Sequence, residues 1–235
     1  MPLSPAQQNQ QRKRAAKAAA SVGPALTMEG ATAYEMQLAQ LHQHRQQLHQ
    51  VQSQEAKAEL KLRLLPDYAP YIDGVLGAGK GAQDEVLTTL MLWHFDAGEY
   101  SVGLRIGEYV LQHGLTMPDR FNRSAACLIA EEPAELALRA MKAGNSFPVG
   151  DLLEAQRITA EQDMPDQARA KLHLAIGRAY AFGIDKDQLT DENVELLENA
   201  REHLTRAIEL DDNCGGKKDL EGVNRLLKKH ASTTG

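Results

Sequence analysis

LLPDYAPYIDGVLGAGKGAQDEVLTTLMLWHFDAGEYSVGLRIGEYVLQHGLTMP, residues Leu64–Pro118, is the stretch that decides how this chain folds. Its second half sets two helical patterns around a turn. Val86, Leu87, Leu90, Met91 and Trp93 fall at helical spacing over Ala82–Phe95, and Asp96-Ala97-Gly98-Glu99 follows as a turn. Tyr100–His113 then carries Val102, Leu104, Ile106, Tyr109, Val110 and Leu111, with Gly114 placed to cap its end. Two short amphipathic helices so joined close their apolar faces on each other, which puts Trp93 in a core.

The first half tempts a different reading. Gly74, Gly79 and Lys80 meet the spacing of a phosphate-binding loop. A working loop of that kind leaves a β-strand and has a Ser or Thr hydroxyl for Mg²⁺ directly after the lysine. Here Gly81 follows Lys80, and Pro66-Asp67-Tyr68-Ala69-Pro70 reads as a proline-punctuated turn rather than a strand. Both parts of the mechanism are missing, so the segment is expected to be a glycine-rich connector between helices.

Composition supports helices throughout the 235 residues: aromatics are 5%, Val/Ile/Thr runs are scarce, and Ala, Leu, Gln and Glu dominate. Cys127 and Cys214 have neither metal-ligand spacing nor a disulfide framework, which points to a reducing compartment. No apolar run approaches the roughly 18 residues of a membrane span, and the start lacks a signal-peptide core. The net charge of −6 is distributed unevenly. Residues 1–28 hold Arg12, Lys13, Arg14 and Lys17 and no acid, while Lys217, Lys218, Arg225, Lys228 and Lys229 crowd the other end. These nine cations are the candidate DNA-binding residues.

The expected organisation is all-α, with four regions. Residues 1–30 form a flexible basic arm. Residues 31–65, free of Gly and Pro, permit a helix of about 50 Å or a helical hairpin, a candidate for oligomerisation through the mostly apolar series Tyr34, Leu41, Leu48, Glu55 and Leu62. His42, His44 and His49 there read as a solvated face, not a metal site. Residues 66–162 make a central helical domain, continuing past the hairpin through a loop with Arg120 and Arg123 to helices over Ile129–Ala143 and Asp151–Gln162. Glu131 and Glu132 are adjacent, so they face different ways and read as partners of a helix start. Residues 163–235 form the last region, where Pro165 suits a first helical position. Ile176, Gly177 and Tyr180, then Ala200, Leu204 and Ala207, keep the spacing of a tetratricopeptide helix pair, with a long turn from Gly183 to Val194. A basic helix, Asp219–His230, closes the chain.

Several blocks in one order resemble the small-subunit terminase family of temperate tailed phages that package DNA with cohesive ends. They include Leu64-Leu65-Pro66, Gly79-Lys80-Gly81-Ala82-Gln83-Asp84, Met91-Leu92-Trp93, Gly114-Leu115-Thr116-Met117-Pro118 and Asp163-Met164-Pro165-Asp166. The resemblance runs from about Thr32 to Lys229, with Ser4-Pro5-Ala6-Gln7 near the start. It implies a protein of the host cytoplasm that recognises the packaging site of concatemeric double-stranded DNA. It also implies a large terminase ATPase subunit as partner, and a homo-oligomer that could be a ring. The family carries an endonuclease label, which implies a divalent metal such as Mg²⁺ if this subunit cuts. Read residue by residue, the chain offers no catalytic set. Its acid-x-Lys pairs, Glu55/Lys57 and Glu59/Lys61, precede Pro66-Asp67 on an expected helix. Three functions follow: a DNA-recognition subunit of the packaging motor, a metal-dependent endonuclease, or a helical scaffold without DNA affinity.

Overall fold

The computed structural model describes residues 28–119 and 121–234, with side chains over 33–119 and 121–232. The expected arm, with Arg12, Lys13, Arg14 and Lys17, lies outside the described residues, as does Arg120. Among the described residues the fold is all-α, with no strand. The chain divides into two compact units, Met1–Val51 and Gln52–Gly235.

The first unit holds α1, Met28–Gln50, a polar helix on which His42 pairs with Gln46 one turn on at 3.0 Å. Continuous helix from Ala31 to Leu65 does not form. α1 stops at Gln50, and α2 spans Gln54–Leu64. The break needs neither Gly nor Pro, because Ser53 turns extended and its hydroxyl accepts the Ala56 N–H. A serine cap of this kind satisfies a donor that would otherwise be left over at the new helix start.

In the second unit a 3-10 turn, Leu65–Tyr68, leads into α3, Ala69–Ala78. The expectation of a turn and connector over 66–81 is therefore corrected in its first part. Pro66 and Pro70 stand in the first turns of the two elements, where a missing N–H costs nothing. Ile72 is buried, and that burial offsets the weak helix propensity of Gly74 and Gly77. The real connector is short. It starts at Gly79, which takes the left-handed conformation (φ 60°) and closes α3 on the Val75 carbonyl.

α4 (Glu85–Asp96) and α5 (Tyr100–Gln112) form the expected pair. They approach closely through Gly103, where a Cβ would sit 2.6 Å from the Phe95 ring. Trp93 is 6% exposed, and its ring meets Tyr68 edge-on at 6.3 Å. The expected core role is correct, but its aromatic partner comes from the 3-10 turn. α6 (Ala125–Lys142), α7 (Val149–Thr159), α8 (Asp166–Ala181), α9 (Asp191–Leu210) and α10 (Lys217–Thr234) complete the unit. Gly177 lets α8 and α9 touch, since a Cβ there would meet the Leu204 Cγ at 2.7 Å and the Ala200 carbonyl at 3.1 Å. Leu174, Leu197, Ala200, Leu204 and Ala207 form one core with Val223 of α10. That packing fixes α10 beside α8 and α9.

Candidate nucleic-acid interface

The glycine-rich loop is built by its own hydrogen bonds. The Gly81 N–H, which a phosphate loop would point at its ligand, donates to the Tyr109 hydroxyl at 2.9 Å. Gly81 has φ 65°, and a Cβ would lie 2.5 Å from His113 Nδ1, so the position admits glycine alone. The Gln83 side chain ties the loop to Thr116 by accepting from its N–H at 2.9 Å and donating to its carbonyl at 2.7 Å. Asp84 is 5% exposed and caps α4, accepting from the Leu87 N–H at 2.8 Å and from the Tyr71 hydroxyl. Burial raises its carboxyl pKa, and the Tyr71 and Leu87 bonds pull it back. Lys80 is exposed. Gly79 through Asp84 is thus a structural splice between α3, α4 and α5.

Glu131 is, like Asp84, a buried acid of the second unit. Because α6 starts at Ala125, Glu131 lies in its second turn and does not serve the helix start as expected. Its carboxylate takes Lys171 of α8 at 3.0 Å, Arg123 of the preceding loop, and the Cys127 thiol at 3.1 Å. Burial pushes its pKa up, but Lys171, Cys127 and Arg123 outweigh it and hold the acid ionised. Burial and the neighbouring Glu131 carboxylate raise the Cys127 thiol to about 11, so it is not a nucleophile. On the other face of α8, His173 and His203 share a contact between Nδ1 atoms of 3.1 Å. Among the described residues no group of three or more His, Cys, Asp or Glu could hold a metal ion.

The C-terminal cations separate into two sets. Lys217 pairs with Asp212 at 2.7 Å, and Lys229 reaches Asp187 at 3.3 Å and the Lys186 carbonyl at 3.0 Å. Lys228 is exposed. Lys218 and Arg225, seven residues apart and so on one face of α10, line a groove of about 850 Å³ walled by α6, α8 and α10. Packing brings Arg139 and Lys142 of α6, Arg178 of α8 and Lys186 of the following loop to the same groove. Those four escaped the sequence reading, because they lie 32 to 79 residues before Lys218 in the chain and only the fold gathers them. The one local signal was the spacing of Lys218, Gly222 and Arg225 on a single helix face.

No helix among the described residues is long and apolar enough to cross a membrane. Residues 38–167 match the family model of the phage small terminase subunit. Over 225 residues, covering 96% of this chain and 86% of the relative, the sequence is 40% identical to the "Terminase, endonuclease subunit" of Escherichia phage P2. No solved structure matches the chain. With a family match across more than half of its length and a relative aligned almost end to end, the chain belongs to the phage small terminase subunit family and has that subunit's role in viral DNA packaging.

Proposed function

We propose that this small subunit binds double-stranded DNA at the cohesive-end packaging site through its basic ends. It works there in the host cytoplasm as a homo-oligomer, with the large ATPase subunit as partner. The observation that carries the reading is the charge asymmetry. Arg12, Lys13, Arg14 and Lys17 stand in a segment of 28 residues without a single acid, in a chain of net charge −6. Phosphate contacts need such uncompensated cations, and they hold a duplex without reading its bases. On α10 the outward cations Lys217, Lys228 and Lys229 are a second candidate contact, since exposed ion pairs such as Lys217–Asp212 are weak enough for a phosphate to replace the carboxylate.

Affinity for a cohesive-end duplex, measured over a range of salt, tests this. Each phosphate neutralised contributes about −0.9 to the slope of log affinity against log salt, so deleting residues 1–20 should flatten it by up to about 3–4. An unchanged slope would remove the arm from the interface. The triple substitution Lys217→Gln, Lys228→Gln, Lys229→Gln makes the same measurement on α10.

The name of the P2 relative favours a second reading, in which this subunit itself cuts. A hydrolytic site would take Mg²⁺ or another divalent ion on converging carboxylates. The described residues supply no such set. Nicking of cohesive-end DNA by the purified chain with Mg²⁺, abolished by a chelator, would establish the second reading over binding alone.

A further inference from the structure

The groove between α6, α8 and α10 has a composition that phosphate binding does not explain. Its floor is apolar and half-buried, made by Leu138, Met141, Phe182, Ile184 and Leu226. Two of its cations are already neutralised, Arg139 by Glu135 at 3.3 Å and Arg178 by Asp219 at 2.8 Å. The side chains of the other four, Lys142, Lys186, Lys218 and Arg225, have no ion-pair or hydrogen-bond partner among the described residues. A surplus of positive charge therefore rings an apolar trough on a chain that is net negative.

We propose that this groove receives a short acidic amphipathic helix of a protein partner, with its apolar stripe on the floor and its carboxylates against the four unpaired cations. A sugar–phosphate backbone would satisfy the cations but gain nothing from the floor. An amphipathic helix gains in proportion to the apolar surface it covers there, and helix-in-groove docking reads such stripes. The volume of about 850 Å³ holds several side chains, near the top of the roughly 300–1,000 Å³ range of built clefts. The chain's own N-terminal arm is excluded as occupant by its like charge.

Gly222 points the same way. It sits within α10 on the groove wall, and a Cβ there would meet nothing within 4 Å. A mid-helix glycine weakens a helix relative to alanine, and no neighbour among the described residues requires it. A missing side chain on the wall leaves room for the backbone of a docked helix to approach.

Fluorescence anisotropy of a labelled synthetic helix about four turns long, with leucines on one face and glutamates elsewhere, tests the proposal on the full chain. Saturable binding is expected. It should weaken at least about tenfold when the leucines become serines, and likewise in the double variant Lys218→Glu, Arg225→Glu. Gly222→Leu fills the trough and should abolish binding while the thermal midpoint holds; the double variant covers the case in which that midpoint falls. Absence of saturable binding, or binding indifferent to the Lys218 and Arg225 changes, overturns the proposal. So does displacement of the peptide by a short DNA duplex with the same sensitivity, which would make the groove a phosphate track. The deletion of residues 1–20 reads DNA contact separately, so failure of either idea leaves the other standing.

Discussion

The loop from Gly79 to Asp84 and the groove beside α10 both set lysines among glycines, and they differ in what is left over. In the loop, Gly81, Gln83 and Asp84 spend their hydrogen-bonding groups on Tyr109, Thr116, Leu87 and Tyr71. In the groove, four cations stay unpaired among the described residues, and Gly222 faces open space. A ligand binds where charge and volume are unsatisfied, so the motif-like loop is architecture and the unremarked groove is the site to test. The core around the loop should then fail structurally when altered. Trp93→Ala removes a ring that is 6% exposed against Tyr68 and should cost about 3–5 kcal/mol in chemical denaturation. A native-like unfolding midpoint combined with lost DNA binding would make Trp93 a contact residue instead.

Within the loop, Lys80, which suggested nucleotide chemistry, and Gly81, which stands where its hydroxyl would be, should behave oppositely to a phosphate loop. Gly81→Ala forces a Cβ into the His113 ring at a positive φ and should cost about 1–3 kcal/mol. Lys80→Ala, at an exposed position, should stay within about 0.5 kcal/mol of the parent. Saturable ATP binding abolished by the Lys80 change would break the distinction between loop and groove.

How much of this was legible depended on local punctuation. The α4–α5 pair was readable from its apolar spacing and because Gly98 and Gly114 mark its turns, where they take φ of 81° and 64°; the cap at Asp84, two residues inside the expected start at Ala82, came only with the fold. The α3 helix was not, since Gly74 and Gly77 read as breakers and only the burial of Ile72 in the fold overrides them. The break at Val51–Ser53 carried a serine cap alone, with no Gly or Pro to announce it. Glu131 was misplaced because the expected start of its helix, Ile129, lies four residues beyond the real one at Ala125. The groove cations belong to three helices and a loop, and no window of sequence contains them together.

The face of α8 opposite Glu131 supplies a pH test of the packing that holds α9. Burial, and then the charges of His203, Arg206 and Arg169, lower His173 from 6.5 to about 4, and burial lowers His203 as well against the pull of Glu202. The unfolded chain therefore takes up a proton between those values while the folded one does not. The stability so contributed is complete above pH 6.5 and is lost as pH falls toward 4. Thermal midpoints should drop by several degrees over that window. His173→Gln removes the titration and should flatten the decline; an equally steep decline in that variant would assign it elsewhere.

The one expected gain in stability bears most directly on the contrast between loop and groove. Gly81 is required by its fold, whereas Gly222 has negative φ, lies inside α10, and leaves open space for a methyl group. Nothing in the described chain needs it, so Gly222→Ala should stabilise by about 0.5–1 kcal/mol, through the lost entropy of the unfolded glycine. A rise in the denaturation midpoint would show that the residue is kept at the expense of stability, as a partner's close approach would demand. A fall would mean that α10 itself uses the absence of a side chain at this position, and the groove wall would then be packing rather than a surface held open.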